Sequence, residues 1–372
     1  LLNRLHLATL ILIIYLAGCA TVAPPTPPPV PTPRPRFINF ETGGRVKSMA
    51  FDGNHLWLGL PSGIIRYDTR TPDQYEIFTI RSTDGLLARG IFKVAIDPQG
   101  VKWIGTYGGG LSRYDGREWL TYTPYGGGKI SYDHRWTTYP RGKGLGDLWV
   151  YDILFESDGA MWIATWKGAS YFNGKSFKTY TQKDGLLDKW VYAIAKDQDG
   201  ILWFGTEGGV NRFDGQNWTG YTHLDGLGGD IGSPQTLGDS YDDNEPRHHG
   251  GEHKNNRQAN PNYVLDIVVD HQNVKWIGTW GAGLSRFDGK HWTTFTAGHG
   301  TIGGNFVHAL EVDREGTLWA ATDKGVSRFD GKTWLTYTTA DGLLDNNVFS
   351  IAFDREGNKW FGTWTGLSKM ID

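Results

Sequence analysis

A closed ring of seven four-stranded antiparallel sheets is the fold this sequence predicts, on three observations. The first is a recurring tryptophan. Trp57, Trp103, Trp162, Trp203, Trp276, Trp319 and Trp360 follow one another at spacings of 46, 59, 41, 73, 43 and 41 residues. A period just over 40 with two longer gaps reads as a repeat array with two insertions. The second is that every unit carries the same string of strand and turn signals. Around Trp203, the β-branched run Val191-Tyr192-Ala193-Ile194 stops at Asp197-Gln198-Asp199-Gly200. Leu202-Trp203-Phe204-Gly205-Thr206, a Gly-rich bend, Val210-Asn211-Arg212-Phe213, Asp214-Gly215 and Trp218 to Thr222 then follow. That is four short strands, a to d, joined by tight turns. The third is that the two ends complement each other. The sequence stops in a strand c, Leu367 to Asp372, while Phe37 to Thr42 matches a strand d such as Trp334 to Thr338. The N-terminal strand is therefore expected to complete the last blade of an all-β, seven-bladed β-propeller, which removes the open edges at the seam.

Composition agrees and excludes several classes. The 372 residues include 52 Gly and 17 Trp, as many short strands and turns require. Lys and Arg total 37 against 40 Asp and Glu, a net charge of -3, so a polybasic nucleic-acid binder is excluded. One cysteine excludes a disulfide framework and a Cys-based zinc site. The pairs Asp115-Gly116, Asp214-Gly215, Asp288-Gly289 and Asp330-Gly331, with Asn173-Gly174, suit type I′ turns between strands c and d. Asp197 to Gly200 and Asp313 to Gly316 lack the ligand count and closing glutamate of a calcium loop and read as hairpin turns.

Residues 1–18 read as a signal segment, with Arg4 and His6 ahead of the apolar run Leu7 to Leu16. Leu16-Ala17-Gly18-Cys19 resembles the bacterial lipoprotein box, which implies lipidation at Cys19 and a cell-envelope location, periplasmic or at the cell surface. Residues 19–36 hold eight prolines between Pro24 and Pro35 and read as a polyproline II tether. The propeller is expected over 37–372, with insertions at about 124–146 and 228–262. The first contains Ile130 to Asp133 and Trp136 to Tyr139, a second hairpin-like copy. The second carries His248, His249 and His253, weak metal candidates, and reads as a polar loop over the binding face.

The repeats resemble the two-component regulator propeller family. The residues that carry this are Lys275-Trp276-Ile277-Gly278-Thr279, Gly283-Leu284-Ser285-Arg286-Phe287-Asp288-Gly289, the Trp-x-x-Tyr-Thr strands and the Asp-Gly-Leu connections. The resemblance spans 37–372. It implies the sensor half of an extracytoplasmic receptor, here without a second membrane span or a kinase of its own.

In such a blade the b–c loops and d–a connections share one face, and here that face holds both insertions and the unusual side chains. The residue after strand b is Tyr107, Trp166, Glu207, Trp280, Asp323 and Trp364 in blades two to seven, and Trp149, Trp190 and Phe306 start strand a. Aromatic faces beside carboxylates suit sugar rings. Tyr107, Trp149, Trp166, Trp190, Glu207, Trp280, Asp323 and Trp364 are therefore the expected ligand-binding set for a small molecule or glycan. No cofactor, metal centre or nucleic-acid partner is expected, and membrane attachment runs through the lipid. An envelope sensor protein is a candidate partner. No nucleophile elbow, HExxH motif or phosphate loop is present. Two alternatives stand beside ligand sensing: a protein-interaction scaffold of the envelope, and a metal-assisted lyase or hydrolase of the streptogramin-lyase type, for which His308 and the insertion histidines are the candidates.

Overall fold

The structure, a computed structural model, describes residues 35–71, 74–83, 85–128, 144–231 and 259–371. Blade 1 comprises Ser48–Asp52, His55–Leu60, Gly63–Asp68 and Tyr75–Phe78. Blade 2 comprises Ile91–Ile96, Lys102–Thr106, Leu111–Tyr114 and Trp119–Thr123. Blade 3 comprises Val150–Phe155, Met161–Thr165, Gly168–Phe172 and Phe177–Tyr180. Blade 4 comprises Val191–Lys196, Leu202–Thr206, Gly209–Phe213 and Trp218–Tyr221. Blade 5 comprises Asn260–Val269, Lys275–Trp280, Leu284–Phe287 and Trp292–Phe295, and blade 6 comprises Val307–Val312, Leu318–Thr322, Gly325–Phe329 and Trp334–Tyr337. Blade 7 comprises Val348–Phe353, Lys359–Thr363 and Gly366–Ile371, with Arg36–Glu41 as its fourth strand. That strand pairs antiparallel with Gly366–Ile371, from Arg36 opposite Ile371 to Glu41 opposite Gly366. Among the described residues no helix is long and apolar enough to cross a membrane.

Seven apolar clusters hold the ring, and each spans one blade and the next. Trp103 of blade 2 packs with Ile153, Phe172 and Phe177 of blade 3, and Trp319 of blade 6 packs with Val348 and Phe361 of blade 7. The seam between blades 7 and 1 follows the rule, with Trp360 and Leu367 against Leu56 and Leu58. A buried tryptophan contributes roughly 4–6 kcal/mol of transfer free energy as an upper bound. The strand-c arginines pair at the surface, Arg113 with Asp115 at 3.2 Å and Arg286 with Asp288 at 3.7 Å, and such pairs contribute about 0–1 kcal/mol. The tryptophan repeat therefore fixes blade stacking. Gly105 and Gly278 on strand b admit the neighbouring blade: a Cβ there would lie 2.7 Å from the Val150 carbonyl and 3.0 Å from that of Val307.

The face bearing the a–b turns is uniform. The aspartate ending strand a accepts a hydrogen bond from the strand-b indole N–H in five blades. These are Trp103 to Asp97 and Trp203 to Asp197 at 2.9 Å, Trp276 to Asp270 and Trp319 to Asp313 at 2.8 Å, and Trp360 to Asp354 at 2.9 Å. Its other oxygen takes the backbone N–H four residues on, as Asp313 does from Thr317 at 2.8 Å.

The c–d turns differ from expectation. Tyr114 pairs with Trp119, so four residues form the turn. Only the glycine is left-handed, with Gly116 at φ 95°, whereas a type I′ turn needs two such residues. Asp115 adopts ordinary backbone and instead accepts the N–H groups of Arg117 and Glu118 at 3.0 and 2.9 Å. The start of the first insertion adds a short fifth strand, Gly126–Gly128, to blade 2. The hairpin expected at 130–139, Cys19, and His248, His249 and His253 lie outside the described residues.

Candidate functional site

The connections on the opposite face, the mouth, are built to hold side chains still. The threonine ending strand b is buried and donates its hydroxyl across the b–c turn to a glycine carbonyl. Examples are Thr106 to Gly110 at 2.7 Å, Thr206 to Gly209 at 2.8 Å, Thr279 to Gly283 at 2.7 Å and Thr363 to Gly366 at 3.0 Å. The next residue is thereby presented at a fixed place: Tyr107, Trp166, Glu207, Trp280, Asp323 or Trp364. The incoming chain of the following blade lies beside it. Tyr107 forms an isolated antiparallel bridge with Trp149, and Trp280 with Phe306. Trp149 and Trp190 are set by aspartates two residues earlier, whose carboxylates accept their N–H groups at 3.1 and 2.9 Å. Each d–a connection is pinned in turn by a strand-c side chain, as Ser285 accepts from the Gly228 N–H at 2.8 Å and Ser368 from Leu344 at 2.9 Å. The leucine of each Asp-Gly-Leu motif (Leu186, Leu227 and Leu343) is buried between blades.

The structure brings most of the sequence-predicted residues together on this face. Tyr107, Trp149, Trp166 and Trp190 form one arc, with successive ring centroids 3.8, 4.5 and 5.6 Å apart. Trp280 stacks on Tyr263 at 5.6 Å and meets Phe306 edge-on at 5.1 Å. Trp364 lies 5.7 Å from Phe349. Glu207 accepts from the Tyr192 hydroxyl at 3.4 Å. Burial, then the neighbouring Asp188, pushes its carboxyl up to about 7. Asp323 is turned to its own scaffold, where its carboxylate takes the Phe306 N–H at 3.4 Å.

An inner tier supplied by strand a joins these residues, and sequence reasoning passed over it. The residue after the buried valine, or Ile91 in blade 2, at the entry to strand a is Lys47, Phe92, Tyr151, Tyr192, His308 or Phe349. First strands of adjacent blades touch all the way round the ring, so this position lines the axis. Phe92 contacts Tyr151 at 4.6 Å, Tyr151 contacts Tyr192 at 4.7 Å, and Tyr192 contacts Tyr263 at 4.7 Å. Trp280 reaches His308 at 6.5 Å, and His308 lies on Phe349 at 4.8 Å. Arg45 stands 5.2 Å from the Phe349 ring and 5.1 Å from Trp364, and Lys47 stands 5.1 Å from Phe92. Arg45 and Lys47 thus flank the two ends of this run of rings. Tyr263 joins it because two register shifts in Asn260–Val269 insert extra residues there. The signal for this tier was a single aligned column, one residue past the strand-a valine.

Deeper along the axis the wall turns ionic. Lys93 pairs with Asp152 at 2.7 Å, and Asp266 and Glu311 add two more carboxyls. Burial works against the Lys93 ammonium, but Asp152 and Asp266 outweigh it and raise its pKa. Burial raises both Asp266 and Glu311 to about 7, with Lys93 opposing. Asp152 and Asp266 also stitch blades together, accepting the Ile194 N–H at 2.9 Å and the Leu310 N–H at 2.7 Å. Among the described residues no three His, Cys, Asp or Glu side chains are grouped to hold a metal ion.

With this geometry established, comparison with known proteins is informative. The family model described as two component regulator propeller matches residues 185–208, 301–324 and 342–365. Those segments are the d–a connection and strands a and b of blades 4, 6 and 7. No curated protein sequence matches significantly. Among solved structures, the chain is similar to the extracellular domain of a hybrid two component system, BT3049, from B. thetaiotaomicron. That match has a TM-score of 0.66 and 21% identity over 90% of this chain. The chain covers 41% of that structure's length. It is also similar in fold to virginiamycin B lyase from Staphylococcus aureus, with TM-score 0.57, 13% identity and coverage of 91% and 99% of the two chains. YCF48 bound to D1 peptide gives TM-score 0.57, 12% identity and coverage of 92% and 97%. At these identities the structural matches speak to the fold. The chain thus carries three segments similar to two-component regulator propeller repeats, set in a ring of seven four-stranded blades.

Proposed function

We propose that this chain is an extracytoplasmic sensory propeller that binds a small ring-bearing ligand, foremost a glycan, at the aromatic mouth. In this reading it is held to a membrane through lipid on Cys19 and carries no phosphotransfer activity of its own. The observation that supports binding is the unbroken circuit of side chains from Phe92 through Tyr151, Tyr192, Tyr263, Trp280 and His308 to Phe349. Deeper strand-a positions on the wall are ionic, with Lys93, Asp152, Asp266 and Glu311, so the run of touching rings belongs to the level of the mouth. Aromatic faces take the apolar C–H faces of sugars, and the Tyr192 hydroxyl and Glu207 carboxyl supply polar partners at the edge. The description of the BT3049 structure as the extracellular domain of a hybrid two component system supports the sensory assignment.

Calorimetric titration of the folded chain with a panel of neutral mono- and oligosaccharides tests this. A saturable heat that disappears in Trp280→Ala and Trp166→Ala, with the far-ultraviolet spectrum unchanged, is expected. Binding that survives both substitutions would show that the ligand sits elsewhere.

A further inference from the structure

The rim of the mouth carries an unbroken row of rings along one stretch. Going round the ring, the position after strand b alternates with the position that enters the next strand a. Tyr107, Trp149, Trp166 and Trp190 fill four successive places of that alternation across blades 2 to 4. The row meets the inner tier at its blade 2 end, where Tyr107 lies 5.1 Å from Phe92. Beyond Trp190 the next place holds Glu207. All four side chains are partly exposed, whereas the strand-b tryptophans that stack the blades are only 1–5% exposed. Resting on the reading of the mouth as a glycan site, we propose that this arc is an extended subsite for a curved, α-1,4-linked oligosaccharide chain lying along the rim across blades 2 to 4.

Two observations carry this. The first is that the fold does not need rings in these places. The Trp149 N–H donates to the Asp147 carboxylate at 3.1 Å, and its carbonyl accepts the Trp166 N–H at 3.2 Å. Asn347 in blade 7 makes the same pair of bonds without an aromatic side chain. Its N–H donates to Asp345 at 2.8 Å and its carbonyl accepts the Trp364 N–H at 3.0 Å. Backbone closure is thus complete with an amide there, and four partly exposed rings in a row are apolar surface beyond what closure requires. Main-chain bonds hold that surface before any ligand arrives, so little of the protein is left to be ordered on binding. The second observation is that the rings are stepped. Successive planes differ by 53°, 72° and 84° from Tyr107 to Trp190, so no two neighbours share one platform. A flat, ribbon-like β-1,4 chain cannot lie on two neighbouring rings at once. An α-1,4 chain turns its sugar planes from one residue to the next and bends with the ring. Each further sugar can then set its apolar C–H face on a new ring, and affinity grows with chain length until the arc is filled.

Calorimetric titration of the whole chain with maltose, maltotriose, maltotetraose and maltohexaose, against cello-oligosaccharides of the same lengths, tests the proposal. Expected is a Kd that falls about tenfold from maltose to maltotetraose and then levels off, with no comparable gain in the cello series. Trp149→Leu and Trp190→Leu remove ring faces but keep apolar bulk and the main-chain bonds to Asp147 and Asp188. Each should shrink the ratio of the maltose and maltotetraose Kd values to less than about twofold, with an unchanged melting temperature as the check on folding. The wild-type length series stands as a test in its own right should either variant fail to fold. A length gain that survives both substitutions would put the chain elsewhere and overturn the arc. Affinity that rises equally in the two series would overturn the curved chain. Trp280-dependent binding of sugars with no gain in length would overturn the extended subsite and leave the mouth reading intact. Silence towards both series would remove both readings, and binding of hexaproline beside that silence would assign the arc to an extended peptide.

Discussion

The two ends of the same seven inner strands are built on opposite plans. At the end bearing the a–b turns, one aspartate, one indole and one left-handed glycine recur from blade to blade, with the same bonds at nearly the same lengths. At the mouth, one aligned position holds Lys47, Phe92, Tyr151, Tyr192, His308 and Phe349 in turn, and the rings from Phe92 to Phe349 are linked through Tyr263 and Trp280. Sameness at one end reports what every blade needs in order to pair with its neighbour. Difference at the other end is what the proposed ligand, meeting several blades at once, would require.

The comparison breaks if the turn end proves dispensable, and Asp313→Ala is the strongest test. It removes the acceptor of the Trp319 indole N–H and of the Thr317 N–H, and Asp313 is itself buried. Each orphaned donor costs about 1–3 kcal/mol, so a loss of about 3 kcal/mol in chemical denaturation is expected with ligand affinity unchanged. A loss under about 1 kcal/mol would mean that the repeated turn is decoration.

Blade 1 offers a sharper version, since nature has already made the deletion there. Its a–b turn is only Gly53-Asn54, because Asp52 pairs directly with His55. The residue six before Trp57 is Phe51, and the Trp57 indole nitrogen is buried with no hydrogen-bond partner. Trp319→Phe should therefore cost about 1–2 kcal/mol more than Trp57→Phe, whose lost N–H was making nothing. Equal losses in the two variants would show that area burial alone, and not the aspartate bond, sets the tryptophan's worth.

This contrast also explains what the sequence made legible. The strand-b tryptophans, the Asp-Gly-Leu connections and the threonines that close the b–c turns repeat, and repetition can be read without coordinates. Tyr107, Trp149, Trp166 and Trp190 were found because each follows a repeated landmark. Phe92, Tyr151, Tyr192 and Phe349 were passed over, and His308 was noticed only as a histidine, because a search for sameness discards the column that varies. Tyr263 could not be read at all, since register shifts in Asn260–Val269 move it into place and a bulge has no signature in spacing. The c–d turns were misread for a related reason. An Asp-Gly pair satisfies both a two-residue type I′ turn and a four-residue turn capped by the aspartate, and only the pairing of Tyr114 with Trp119 decides between them.

The smallest expected effect is a difference in sign with pH along the axis. In the throat, burial raises Asp266 and Glu311 to about 7, above the ordinary range near 4 in which they would ionise in the unfolded chain. The folded state therefore holds their protons more tightly. Their contribution to stability is fully present below about pH 4 and is lost as pH rises towards 7. At the turn end the balance reverses. Burial of Asp197 and Asp354 opposes their charge, but hydrogen bonds from Trp203 and Lys275, and from Trp360 and Asn358, outweigh it and lower both. Their contribution is present above the ordinary carboxylate range and is lost as pH falls through their lowered folded values. Melting temperature against pH should thus fall on both sides of a maximum in the weakly acidic range. Glu311→Gln should flatten only the limb towards neutral pH, because it stands for the protonated acid at every pH. Asp354→Asn should flatten only the acid limb. Should Glu311→Gln keep the wild-type slope between about pH 4 and 7, the throat carboxyls titrate as ordinary solvated acids. The ionic wall beneath the mouth would then exert no influence on the fold.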